Sequence, residues 1–87
     1  KGENTLTIAI KSGHSDILQD IFFHNESLNQ QDTFGNTALH YAIELKDKYA
    51  IIILAYYGAD TNIKNNEGKT AMDLAHEWND ETIFELL

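Results

Sequence analysis

The feature that most constrains this chain is a sequence repeat with a period of 33 residues. Three glycines, Gly2, Gly35 and Gly68, lie at this interval, and the residues after them align without gaps as GENTLTIAI, GNTALHYAI and GKTAMDLAH. Later positions keep the same register, since NESLNQQD aligns with GADTNIKN. A period of this length predicts a stack of similar small units whose neighbours share one continuous core.

Each unit has the pattern of two short helices followed by a polar loop. Small polar residues that suit a helix start stand two positions after the glycines: Asn4, Thr37 and Thr70. Apolar residues then recur at three- and four-residue spacing. The second helices are expected at Asp16–Phe23, Lys48–Tyr57 and Glu81–Leu87. Because two short helices cannot enclose a core alone, neighbouring pairs must stack, and we expect repeat units at 1–31, 32–64 and 65–87.

These motifs resemble the ankyrin repeat family. The resemblance is carried by the sequence GNTALHYA beginning at Gly35, by Gly13-His14, and by GADTN beginning at Gly58, all within the 33-residue period. It implies an all-α ankyrin-repeat solenoid of stacked antiparallel helix pairs joined by β-hairpin-like loops. It also implies a structural hydrogen bond from His40 to the neighbouring loop backbone.

The chain departs from the family pattern at several positions. Alanine stands at Ala38 and Ala71, where the family usually has proline. Lys46-Asp47 replaces the pair seen at Gly13-His14, so this turn either extends its helix or carries strain. Asp20 occupies a position that is apolar in the other units, which marks either an outer, cap-like unit or a local polar contact.

Composition excludes several classes of function. The chain has 6 lysines, no arginine and 14 acidic residues, for a net charge of −8. Such a chain is poorly suited to nucleic acid or to an anionic membrane surface. The absence of cysteine excludes disulfides and thiolate metal sites and fits a reducing compartment. We therefore expect an intracellular protein, cytoplasmic or nuclear, or in a bacterium a secreted effector that acts in a host cytosol.

Motifs that carry chemistry are weak in this sequence. Asp73, His76 and Glu77 share one face of a helix at metal-ligand spacing, but no second histidine joins them, so a solvated charged face is favoured. No catalytic triad or glycine-rich phosphate loop is present. We predict no enzyme activity, no cofactor and no metal. The context of Asn62 resembles that of ankyrin-repeat asparagines that are hydroxylated, although a hydrogen bond to loop backbone is the favoured role.

The resemblance places partner binding on the concave surface, which loop tips and the exposed ends of the first helices form. Three large apolar residues, Phe34, Leu45 and Trp78, fall at these normally polar positions, and Leu45 aligns with Trp78. We predict that they contact a partner. The other predicted contact residues are Thr33, Asn36, Glu44, Asn66, Glu67, Lys69 and Glu77. Together with Glu3, the glutamates favour a basic partner segment.

Two alternatives stay open at this point. Leu45 and Trp78 could instead pack between adjacent first helices, and Phe34 could be one isolated exposed aromatic residue. The favoured function is noncatalytic protein–protein recognition within a longer polypeptide. The alternative is an architectural segment or cap of a longer array, which positions neighbouring domains without binding a partner. Tyr56 and Tyr57 are expected on the opposite, convex side, packed under the loop or against a neighbouring domain.

Overall fold

The computed structural model describes residues 5–22, 27–78 and 81–86, and within them it contains six α-helices. These are α1 (Thr5–Lys11), α2 (Leu18–Phe22), α3 (Ala38–Glu44), α4 (Lys48–Tyr56), α5 (Ala71–Trp78) and α6 (Glu81–Leu86). A short 3₁₀ turn, Ser15–Ile17, leads into α2. The second helix of the first unit therefore begins two residues later than the sequence pattern predicts.

The helices form two rows. In the first row α3 lies between α1 and α5, and in the second row α4 lies between α2 and α6. The core between the rows is apolar and fully buried, with Leu6, Ile10, Leu18, Leu39, Ile43, Ile51, Leu54 and Ile83 as its largest aliphatic side chains. The all-α solenoid predicted from the repeat is confirmed. Across the described ranges, each helix is too short to cross a lipid bilayer.

Side chains cap the starts of α3, α4 and α5, and the sequence predicts two of these caps, Thr37 and Thr70. Thr37 is the N-cap of α3. Ahead of α5, the Asp73 amide donates to Thr70 Oγ1 at 3.1 Å and the Thr70 amide donates to Asp73 Oδ2 at 3.0 Å. At the start of α4, Asp47 Oδ1 accepts from the Ala50 amide at 3.1 Å. Each pair satisfies amides that have no partner inside the helix.

Three helices end in the same left-handed turn. The second residue after the helix end has a positive φ at Gly13, Lys46 and Gly58 (78°, 57° and 87°). In each turn the amide of this residue and the amide of the next residue donate back to carbonyls of the last helical turn, which is the Schellman arrangement. Lys46 is the only described non-glycine residue with positive φ. Of the two alternatives for this turn, strain is therefore confirmed and helix extension is wrong.

Candidate interaction surface

The loop tips are shaped by one side chain in each loop. Asp32 Oδ1 accepts from the amides of Phe34 and Asn36 at 2.9 and 3.0 Å. One unit later, Asn65 Oδ1 accepts from the amides of Glu67 and Lys69 at the same two distances. A backbone bond also joins the Asp32 amide to the Asn36 carbonyl. These tight, hairpin-like turns hold Phe34 and Glu67 at the tips.

Hydrogen bonds join the two described loops to each other. The Asn66 amide donates to the Phe34 carbonyl at 3.0 Å, and Asn66 Nδ2 donates to the Thr33 carbonyl at 2.8 Å. Asn65 Nδ2 donates to Asn36 Oδ1 at 2.9 Å. Asn36 and Asn66, both predicted to contact a partner, therefore also hold the surface together. Their predicted role in partner binding stays a prediction.

The same loop contact requires glycine at position 35. A Cβ atom on Gly35 would lie 2.6 Å from both the amide nitrogen and Oδ1 of Asn66. The equivalent Gly68 has nearly the same φ, but no atom lies within 4 Å of its Cβ position. Gly35 is therefore needed for close approach as well as for backbone conformation.

His40 connects the first row of helices to the next loop. It is buried, its Nδ1 accepts from the Thr37 amide at 3.0 Å, and its Nε2 lies 2.9 Å from the Lys69 carbonyl. Because Nδ1 is the acceptor, the proton lies on Nε2, which donates to the backbone carbonyl of Lys69. The structural hydrogen bond expected for His40 is confirmed.

The three predicted apolar contact residues lie at the surface. Phe34 is 66% exposed, Leu45 53% and Trp78 42%. This exposure does not fit the alternative in which Leu45 and Trp78 fill gaps between helices. The Lys46 ammonium lies 4.7 Å from the centroid of the Trp78 ring, within the range of a cation–π contact.

Tyr41 extends this surface, although the sequence pattern alone assigned it to an apolar column with Ile8 and Leu74. It is half-buried, its hydroxyl donates to Asp32 Oδ2, and the Lys11 ammonium lies 4.9 Å from its ring centroid. The helical spacing carries the missed signal, because position 41 shares a face with positions 44 and 45. Ile8, one unit earlier, is also exposed.

The contact between Asp32 and Tyr41 changes the pKa of both side chains. Burial raises the pKa of Tyr41, and its hydrogen bond to Asp32 raises it further. Burial also acts to raise the pKa of Asp32. The hydrogen bonds from Tyr41, Asn36 and Phe34, with the Lys11 charge, outweigh this effect and lower it below its ordinary value. Asp32 is therefore an ionised acceptor that fixes the loop tip against α3.

Charged residues surround the apolar side chains. Glu44 and Glu67 are exposed. Glu77 Oε2 lies 2.5 Å from Lys69 Nζ, and this hydrogen-bonded ion pair raises the pKa of Lys69. Both members of the pair were predicted partner contacts, and their ion pair leaves little net charge at this point of the surface.

The face considered for a metal has another structural use. The hydrogen bond from the Thr70 amide lowers the pKa of Asp73, which helps to cap α5. Within residues 5–22, 27–78 and 81–86, no three His, Asp or Glu side chains are grouped closely enough to hold a metal ion. Glu3 and the predicted cap residue Asn4, which also entered the sequence analysis, lie outside the described residues.

Comparison with known proteins agrees with this architecture. The profile of the family described as Ankyrin repeats (3 copies) matches residues 2–87. The chain therefore belongs to the ankyrin repeat family. Ankyrin repeats are generally noncatalytic modules of protein–protein interaction.

Similar proteins include one from a virus, one from a bacterium and one from a spider. Ankyrin repeat protein FPV031 of fowlpox virus is 35% identical over 75 residues, which cover 85% of this chain and 22% of that protein. Ankyrin repeat protein YahD of Escherichia coli (strain K12) is 36% identical over 88 residues, covering 94% and 44%. Alpha-latrotoxin-Lg1a of Latrodectus geometricus is 40% identical over 63 residues, covering 72% and 5%. The chain spans less than half the length of each.

Proposed function

We propose that this chain is a noncatalytic recognition module that binds a partner protein or peptide on the surface formed by its loop tips and first helices. We call this surface the inner face and define it by Phe34, Tyr41, Leu45 and Trp78. The observation that carries the proposal is the exposure of Phe34, Leu45 and Trp78 on a framework that internal hydrogen bonds hold in place.

A rigid framework favours binding because little conformational entropy is lost when the partner arrives. Asp32 and Asn65 fix the turns, and Gln31 Nε2 donates to the carbonyls of Gly35 and Lys64 at 2.8 and 2.9 Å. Aromatic side chains on such a framework provide large contact areas with few rotatable bonds. Phe34 and Trp78 therefore suit the role of central anchors.

The charge of the surface selects the kind of partner. Glu44 and Glu67 are exposed at the edge of the inner face, and the whole chain carries −8. A segment with lysine or arginine beside apolar residues would be attracted by these carboxylates and would associate faster at low salt. We propose that the partner presents such a basic segment, and that binding takes place inside a cell.

The second candidate function is architectural. In this role the chain positions neighbouring domains without binding a partner. It is supported by the coverage of the relatives, because the chain matches only a minor part of each, as a repeat segment within a longer polypeptide would. In that case the inner face has no partner of its own. The two candidates differ in one measurable property, the effect of inner-face substitutions on binding.

Two matched variants separate these functions. The inner variant carries Phe34→Asn with Leu45→Asn, and the outer variant carries Ile52→Asn with Tyr56→Asn, which are exposed on α4. All four changes remove apolar surface without adding charge. Each immobilised protein is used to capture proteins from a cell lysate, and far-UV circular dichroism checks that helix content is preserved.

We expect at least one captured protein to be lost with the inner variant and kept with the outer variant. The single tryptophan, Trp78, gives an independent readout. Binding at the inner face should shift its fluorescence to shorter wavelength as water is excluded from the ring. Captured proteins that bind both variants as well as the wild type, with no change at Trp78, would contradict the proposal and favour the architectural role.

A further inference from the structure

The second row of helices carries an apolar stripe that the stacking of the units does not explain. On α4, Tyr49, Ile52 and Tyr56 are 45%, 47% and 81% exposed. Their spacing of three and then four residues places them on one face of the helix, over a length of about 10 Å. We call Tyr49, Ile52 and Tyr56 the outer stripe. Tyr56 does not pack under a loop, as the sequence analysis allowed.

The neighbouring units show that the fold does not need apolar residues here. One unit before Tyr49 and Ile52, the same positions hold Asp16 and Gln19, and one unit after Ile52 the position holds Glu85. All three of these polar residues are exposed. If the outer face of a unit were buried by stacking, the polar residues would be costly. The apolar side chains at positions 49 and 52 are therefore particular to the middle unit, whereas the chain has Phe23 one unit before Tyr56.

Tyr57 adds to the stripe at its C-terminal end. Its ring lies 5.3 Å from that of Tyr56, at an interplanar angle of 83°, which is a favourable edge-to-face contact. Tyr57 is itself exposed. The contact joins two aromatic rings into one surface next to the end of α4, where Gly58 turns the chain. The result is a contiguous apolar patch about two helical turns long.

Carboxylates flank the stripe on both sides. Asp16 and Asp20 belong to the preceding unit and Glu85 to the following one, and all are exposed. Lys48, exposed at the start of α4, is the one basic residue in this part of the surface among the described residues. An apolar stripe between two acidic borders is complementary to a helix that has an apolar face bordered by lysine or arginine.

We propose that the outer stripe binds a cationic amphipathic helix of a partner protein. The partner's apolar residues would be spaced as i, i+3 or i+4, and i+7, and would lie along α4. Its basic residues would face Asp16, Asp20 and Glu85. A second copy of this chain is a poorer occupant, because each copy carries −8 and would bring acidic borders together. This site lies on the second row of helices, and the inner face lies on the first.

The test uses a synthetic helix as the probe. An 18-residue peptide of leucine and lysine, about five helical turns, is arranged so that all leucines lie on one face. A scrambled peptide of the same composition is the control. Binding of each fluorescently labelled peptide is measured by anisotropy with the wild type, the inner variant and the outer variant defined above.

We expect the amphipathic peptide to bind the wild type and the inner variant alike, and the outer variant about tenfold more weakly. The scrambled peptide should bind at least tenfold more weakly than the amphipathic one. Tyr56→Ala alone, at the most exposed position of the stripe, should give a smaller loss in the same direction. This single variant keeps the test valid if the outer variant loses helix content.

Four results would overturn the proposal. Equal binding of the scrambled peptide would show general charge attraction, and a loss confined to the inner variant would place the peptide on the inner face. Sedimentation showing a wild-type dimer that the outer variant cannot form would assign the stripe to a second copy. Co-sedimentation of the wild type with phosphatidylcholine–phosphatidylglycerol vesicles, abolished in the outer variant, would assign it to a lipid surface.

Discussion

Lys46 occupies a backbone conformation that the first unit gives to Gly13 at the equivalent position. Its φ of 57° lies in the left-handed region, where a side chain is disfavoured because Cβ approaches the carbonyl oxygen. The residue nevertheless sits where its ammonium lies over the Trp78 ring. The strained backbone of Lys46 therefore accompanies the placement of its ammonium group over Trp78 on the inner face.

Replacing Lys46 with glycine should stabilise the fold. We expect Lys46→Gly to raise the free energy of unfolding by about 1 kcal/mol, because the left-handed turn is kept without the Cβ penalty. Urea denaturation followed by circular dichroism measures the change. Lys46→Ala serves as the control, since it loses the contact with Trp78 and keeps the strain. A glycine variant no more stable than the alanine variant would refute this explanation.

At the scale of elements, the loops rather than the helices distinguish this repeat array. Each helix pair follows from capping residues, turn residues and apolar spacing. The loops join neighbouring units through side chains that cross the boundary, such as Gln31, Asn66 and His40. The loop contacts therefore determine how the inner face is held between units.

The two loop glycines allow this contact to be measured. Gly35→Ala and Gly68→Ala introduce the same methyl group at nearly the same φ, and only the first meets the Asn66 backbone. We expect Gly68→Ala to cost about 1 kcal/mol from backbone strain. Gly35→Ala should cost about 1–3 kcal/mol more, because the loops must separate. Equal costs in urea denaturation would mean that the loop contact adds nothing to stability.

The sequence predicted the positions of the helices better than the contacts that individual side chains make. The repeat pattern predicted the starts of α2, α4 and α6 to within two residues, and the capping residues Thr37 and Thr70 marked the starts of α3 and α5. The sequence pattern allowed two outcomes for the turn at Lys46, because the same residues are compatible with an extended helix and with a strained turn. It also made Asn36 and Asn66 partner contacts, since an alignment shows which positions lie near the surface. It does not show which hydrogen bonds those positions make across a loop boundary.

At the scale of the whole molecule, the charge balance opposes the compact state. Six lysines face 14 acidic residues, and the array carries −8 in a structure with a Cα radius of gyration of 11.6 Å. Repulsion between carboxylates is weakened when salt shortens the Debye length. The same charge that favours a basic partner therefore reduces the stability of the free protein.

Added salt should raise the melting temperature. Between about 10 mM and about 500 mM NaCl we expect an increase of several degrees, since the Debye length falls from about 30 Å to about 4 Å. The double variant Asp20→Lys with Glu85→Lys changes the net charge from −8 to −4, because each exchange replaces one negative charge with one positive charge. It should melt higher than the wild type at low salt and respond less to NaCl. A melting temperature that falls with salt would show that attractive ion pairs dominate.

The hydrogen bonds between units also determine how the molecule would respond to mechanical force. The bonds from Gln31 to Lys64, Asn66 to Thr33 and Asp60 to Asn29 join residues 31 to 33 positions apart, which is close to one repeat. A pull on the two ends would load these interfaces in series. Each interface would then give way separately, releasing about 110 Å of extended chain per unit. The expected force–extension curve therefore rises in separate steps, one for each interface that opens.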